Sequence, residues 1–264
     1  MCVLSLVTPS RSALAEHEGK VQILLLGDST TIGSVCRRTN PEGPHLEDVI
    51  RLLLATDKDL PPTNVINQGR DGEFIHGLLQ GRYEKDISKL PGIDYVFFRF
   101  GLNDRSKREN FTENFPKDCQ ALIARLRQDF PQALIVPTSL IAYTTPTADE
   151  PVNDMIRKSA DDTKLPYLDV HTRFAAELKA QGPNMLNYRR YALDKIPEQH
   201  RNWVAPFVQA GSVVVMDNRL DAHFGELPGW YADRHPNLAG YHVIGDEMAK
   251  FIAKLLQERK RQGE

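Results

Sequence analysis

Ser29 lies in Gly27-Asp28-Ser29-Thr30, directly after the apolar run Val21 to Leu26. A serine at that junction enters a turn into helix, which exposes its hydroxyl and lets its own N–H face a ligand. Gly27 permits the tight backbone. Alone, the tetrapeptide is read at least as well as a loop cap. Asn67-Gln68-Gly69-Arg70-Asp71-Gly72 and Gly101-Leu102-Asn103-Asp104 follow two later apolar runs. The N–H of Gly72 and the side-chain amide of Asn103 are uncharged donors, suited to an oxyanion that exists only in a transition state. Turn glycines and a left-handed asparagine are their plainer readings. In Asp233-Arg234-His235-Pro236-Asn237, His235 can serve as general base, Pro236 restrains the backbone and Asn237 can cap the helix that follows. A lone histidine is more often structural. Together with a strand-end serine and two donor loops, it fits nucleophile, base and oxyanion hole in one site, the equipment of acyl transfer.

Such residues converge only if the elements before them lie side by side. The chain alternates short apolar runs with longer amphipathic ones, as a parallel sheet covered by helices requires. Val21 to Leu26, Asn64 to Asn67, Asp94 to Phe100, Ala133 to Pro137 and Leu165 to Val170 are expected strands. Helical patterns fall at His45 to Ala55, Phe74 to Leu90, Asn114 to Asp129, Val152 to Asp162, Thr172 to Gln181 (stopping at Gly182) and Leu238 to Gln257. In an open parallel sheet, ligands gather at the carboxyl ends of the strands, where the first three loops would sit. Pro183 to Tyr231 breaks the rhythm and is too long for an ordinary connection. It reads as an elaboration of a single domain over residues 19–264. Its aromatic residues are read either as a sugar platform or as the packing of a long excursion, with packing preferred.

The four segments resemble the ordered blocks of the SGNH hydrolase (GDSL-type esterase) family: GDST at 27–30, NxGxxG at 67–72, GLND at 101–104 and HPN at 235–237. The resemblance implies an α/β fold, a three-layer α/β/α sandwich of flavodoxin-like type with a central parallel sheet of about five strands. It also implies Ser29 as nucleophile, His235 as general base, and Ser29 N–H, Gly72 N–H and Asn103 as the oxyanion hole. The family usually sets its acid three residues before the histidine, where this chain has Ala232. The carboxylate here is Asp233, two before. Asp233 is the preferred acid, with Asp217, Asp221 or a backbone carbonyl as alternatives. The activity implied is hydrolysis of short-chain acyl esters, with O-acetyl groups on carbohydrate leading. The rivals are a lysophospholipase or thioesterase, an O-acyltransferase, and a catalytically silent binding module on the same fold.

Bulk properties narrow the partners. The 264 residues carry a formal net charge of −2, with 41% hydrophobic and 26% charged side chains. That balance gives no electrostatic reason to expect nucleic acid, and no apolar run approaches the ~20 residues of a membrane-spanning helix. The expected partner is a small-molecule or carbohydrate ester; oligomeric state stays open. The chemistry requires no metal or organic cofactor, and Asp221 with His223 lacks a third ligand at a recognisable spacing. Cys2, Cys36 and Cys119 read as free thiols. Residues 1–18 read as a signal-like or disordered N-terminus. Ser12-Ala13-Leu14-Ala15 has the small-x-small pattern of a cleavage site but no basic region before it, and it tips the expected location towards secreted or periplasmic over cytoplasmic.

Overall fold

The computed structural model describes residues 19–181 and 184–262; the signal-like segment and the expected helix stop at Gly182 lie outside them. Four strands, β1 (Val21–Gly27), β2 (Thr63–Asn67), β3 (Tyr95–Arg99) and β4 (Leu134–Pro137), form a parallel sheet in the order β2-β1-β3-β4. The run Ile23 to Leu26 is at most 1% exposed because both faces of β1 are covered. Successive side chains serve opposite layers. Ile23 and Leu25 join the cluster containing Ile50, Phe174, Ile244 and Ile252, while Leu24 and Leu26 join Ile75, Phe115, Leu122 and Ile156. The serine turn α1 (Ser29–Ile32) leaves the end of β1. Helices α2 (Leu46–Leu54), α7 (His171–Gln181) and α8 (Leu238–Gln262) cover one face. Helices α3 (Ile75–Gln80), α5 (Phe111–Asp129) and α6 (Pro146–Asp162) cover the other, and the short α4 (Leu102–Lys107) leaves the end of β3. The result is the expected three-layer α/β/α arrangement. Each fully buried Leu or Ile contributes roughly 1.5–3 kcal/mol to it.

Two expectations are corrected. The run Leu165 to Val170 makes a single parallel bridge, Thr138 to Leu168, so the sheet has four strands rather than about five. Pro166 has no N–H to give a longer ladder. The helical pattern from Phe74 to Leu90 divides at Gly81 into α3 and a π-helical turn, Tyr83–Ile87. There Arg82 turns back to grip Glu73 at 2.6 and 2.7 Å and the Gln68 carbonyl at 2.5 Å, which ties α3 to the loop after β2.

The excursion carries an antiparallel sheet of β5 (Arg189–Ala192), β7 (Ser212–Val215) and β6 (Val208–Gln209), ordered β5-β7-β6. Tyr191, Val204, Val213, Val215, Phe224 and Trp230 form its own apolar cluster, so most of its aromatic rings are packing; Trp203 is the exception at 49% exposed. Arg189, 1% exposed, pairs with both oxygens of Asp221, and the Trp230 indole donates to the same carboxylate at 2.8 Å. Among the described residues Asp221 and His223 belong to no metal-holding cluster.

Three ionisable side chains are buried beneath the serine turn: Asp28, Arg99 and Asp104. Asp104 accepts from Ile75 N–H at 2.9 Å through Oδ1, while Oδ2 is buried without a partner. Burial, helped by the nearby charge of Asp28 and opposed by backbone hydrogen bonds, pushes the Asp104 carboxyl up to about 7. The native state therefore holds a proton that the unfolded chain releases near 3.8, and stability from this group declines as pH rises from about 4 to 7.

Two outcomes follow from these buried groups. Asp104→Asn keeps an oxygen for Ile75 N–H, so it should flatten the fall in melting temperature between pH 5 and 8 and raise the midpoint at pH 8; a curve superimposable on wild type would refute this. Arg189→Leu strands the Asp221 carboxylate and should cost about 3–5 kcal/mol in denaturant unfolding, with earlier proteolysis of residues 184–231.

Candidate active site

The serine turn is shaped by what surrounds it. A Cβ at Gly27 would lie 2.1 Å from Thr31 Oγ1 and 2.9 Å from the Arg99 carbonyl, so only glycine lets the chain turn this close to β3. Asp28 caps α1, its Oδ1 accepting from Thr30 N–H at 2.8 Å and Thr30 Oγ1 at 2.7 Å. Arg99 reaches under the turn and donates to the Thr30 carbonyl and, at 3.3 Å, to Thr31 Oγ1. Burial raises the Asp28 carboxyl above its ordinary value, against the hydrogen bonds of Thr30 and the charge of Arg99.

Ser29 Oγ stands 2.8 Å from His235 Nε2. The other ring nitrogen, Nδ1, is 2.6 Å from Asp233 Oδ1, which also accepts the backbone N–H of His235 at 3.0 Å. This double acceptance explains how a carboxylate only two residues away reaches the ring: the turn folds back on itself. Asp233 Oδ2 faces Arg190 Nη2 at 2.7 Å. Burial disfavours the charge on Asp233, but the hydrogen bonds and charge of His235 with the Arg190 guanidinium outweigh it and hold the carboxyl below the usual range. The alternative acids are engaged elsewhere, Asp217 with Arg219 at 2.6 Å and Asp221 with Arg189.

The imidazole is also held through its faces. Tyr188 stacks on it with centroids 5.9 Å apart and planes 13° off parallel, and Tyr143 meets it edge-on at 5.3 Å. The Tyr143 hydroxyl lies 3.1 Å from Nδ1. Its phenol is pushed up to about 12 by burial and the charges of Asp233 and Asp28, and so stays protonated. The histidine turn is tied to the excursion: Asn187 Nδ2 donates to the Arg234 carbonyl at 2.6 Å, and Tyr188 N–H to the His235 carbonyl at 3.2 Å. Asn237 caps α8, accepting from Gly240 N–H at 2.9 Å.

Ser29, Asn103 and His235, with Leu102, Arg105 and Tyr143, line a cleft of about 200 Å³. One hydrogen of the Asn103 amide goes to the Glu73 carbonyl at 3.1 Å, and the second has only a long 3.4 Å contact with Asp28 Oδ2. Gly72 adopts φ 71° and its carbonyl accepts from Lys107 Nζ. Among the described residues the N–H groups of Ser29 and Gly72 donate to no protein acceptor. The arrangement can deprotonate a hydroxyl at Ser29 Oγ and offer neutral donors beside it. Tyr143 and Arg190 belong to no motif of the sequence, and Tyr188 reads there only as one aromatic residue of the excursion. Tyr143 follows the end of β4, the same edge that carries the other loops, and that position was its one legible signal.

Known proteins share this chain's family and fold. Residues 25–186 match the model of the GDSL-like Lipase/Acylhydrolase family, a span holding Ser29, Gly72 and Asn103 and ending before Asp233. The curated proteins contain no match. Among solved structures, the α/β hydrolase enzyme LAE5 from the metagenome of Lake Arreo, Spain, is similar, with a TM-score of 0.59 and 19% identity over 87% of this chain and 94% of that one. An acetylxylan esterase from Geobacillus stearothermophilus superposes with a TM-score of 0.58 and 16% identity over 88% of this chain and 94% of its own. At such identities the likeness establishes the shared fold. With the family model covering more than half the chain, this protein belongs to the GDSL-like lipase/acylhydrolase family and is a hydrolase of ester bonds.

Proposed function

We propose that the protein hydrolyses short-chain acyl esters, above all O-acetyl groups on carbohydrate, with Ser29 as nucleophile, His235 as general base and Asp233 as the acid that orients it. The observation that carries this reading is the line Ser29 Oγ, His235 Nε2, His235 Nδ1, Asp233 Oδ1, with contacts of 2.8 and 2.6 Å at the wall of a small cleft. Nε2 takes the Ser29 proton as Oγ bonds to the acyl carbon, and the carbonyl π electrons move onto oxygen. The oxyanion is met by Ser29 N–H and the second hydrogen of Asn103, with Gly72 N–H as third donor once the ester is seated. Collapse expels the alcohol, which takes its proton from Nε2. Water, deprotonated by the same nitrogen, then releases the acid and restores Ser29. The Asp233 carboxylate stabilises the imidazolium formed in each half, and Arg190 holds its outer oxygen.

The small acyl group is supported by size. A cleft of about 200 Å³ is below the roughly 300–1,000 Å³ of pockets that bury drug-sized ligands, and the ester's alcohol side must share it. The solved neighbour described as an acetylxylan esterase supports a carbohydrate ester.

A fluorophosphonate probe should label wild type and leave Ser29→Ala unlabelled, and Ser29→Ala and His235→Ala should each lose about 10⁴-fold or more in kcat. Labelling that survives Ser29→Ala would remove the serine from its role. Against a chain-length series, kcat/KM for acetyl esters should exceed that for octanoyl esters at least about tenfold. Preference for octanoyl would point to a lysophospholipase or thioesterase, net transfer to an added sugar to an acyltransferase, and no turnover with any ester to a binding module.

A further inference from the structure

We propose that Tyr143 is a second holder of the catalytic imidazole, its phenol oxygen sharing the Nδ1 proton of His235 with Asp233; this rests on the role of His235 given above. Nε2 can accept the serine proton only if the ring's own proton is on Nδ1. Two oxygens face that nitrogen, Asp233 Oδ1 at 2.6 Å and Tyr143 Oη at 3.1 Å. They are anchored differently. Asp233 sits in the same turn as His235 and accepts that residue's backbone N–H, so any movement of the turn carries acid and base together. It selects the tautomer, while its tie outside the turn is to Arg190 of the excursion and not to the elements that carry Ser29 and Asn103.

Tyr143 comes from a different part of the chain, the loop between β4 and α6. That loop is fixed by Asp149 in the first turn of α6, which is 1% exposed. Asp149 Oδ2 accepts from Tyr143 N–H at 3.0 Å and Thr144 N–H at 2.7 Å, and Oδ1 accepts from Thr144 Oγ1 at 2.5 Å. Arg105 of α4 stands 3.8 Å from Asp149 Oδ1 and donates to the Ala148 carbonyl at 3.0 Å. Tyr143 is thereby referenced to the helix that carries Asn103. A hydroxyl held by that frame aligns the imidazole with the oxyanion donors, a reference that Asp233, tied to the excursion, does not share. The displaced acid and the tyrosine are complementary: one supplies charge, the other supplies position.

The test combines Tyr143→Phe, which keeps the ring edge against His235, with Asp233→Ala. Tyr143→Phe alone should lower kcat about 3- to 10-fold, and in the Asp233→Ala background about 30-fold or more, because the last acceptor is then gone. ¹⁵N NMR of His235 should report proton on Nδ1 in wild type and Asp233→Ala, and a shift towards Nε2–H in the double variant. If Asp233→Ala does not fold, the Nδ1–H resonance of Tyr143→Phe decides by itself: it moves if the hydroxyl is a partner. Tyr143→Phe matching its parent in kcat and in that resonance, while His235→Ala is inactive, overturns the role of Tyr143 alone. Full activity in His235→Ala would instead overturn the general-base assignment.

Discussion

Arg99 extends from the end of β3 into the interior and donates to the carbonyl of Thr30, one residue past the serine. At 3% exposure this guanidinium is held by that carbonyl and by Thr31 Oγ1, with the Asp28 carboxyl, itself 1% exposed, nearby. Removing it would leave the Thr30 carbonyl without its donor, a cost of about 1–3 kcal/mol. These contacts shape how the chain leaves β1. Gly27 approaches β3 too closely for a side chain, Asp28 faces inward, and Ser29 is the first side chain able to face the cleft. Asn103 reaches towards the same carboxyl from α4, so the serine turn and that helix share one buried group.

The histidine reaches this frame from the far end of the chain and needs its own supports. Its turn is short, and a short turn with an internal hydrogen bond is locally stiff but globally loose. The excursion removes that looseness. Asn187, Tyr188 and Arg190 come from one continuous stretch, and they contact respectively the turn's carbonyls, the face of the His235 ring and the outer oxygen of Asp233. The excursion's own stability rests on Arg189, the residue between the last two, whose side chain faces the opposite way into its core. Alternation along one strand thus supplies both the excursion's anchor and its reach into the site.

Much of this was legible in the order of residues. Continuous apolar runs of strand length identified β1, β3 and β4, whereas the edge strand β2, where Val65 alone is buried, showed only as the short run Asn64 to Asn67. The glycine, serine, asparagine and histidine loops could be placed at strand and helix ends because turn chemistry is local. Less legible was the run Leu165 to Val170: its composition is strand-like, yet Pro166 withholds a donor and the ladder ends after one bridge. The pattern from Phe74 to Leu90 keeps helical spacing through Gly81, where the chain leaves the helical conformation and Arg82 reaches back to Glu73.

By itself, then, the sequence determined a parallel α/β sheet and which loops crowd its carboxyl end, because periodicity and turn preference are properties of near neighbours. Tertiary structure decided which of three carboxylates faces His235, and that Tyr143, Tyr188 and Arg190 enclose the imidazole. Those outcomes depend on groups up to 92 residues apart meeting at about 3 Å. No local pattern encodes such a distance; it arises only when the packed layers bring the segments into contact.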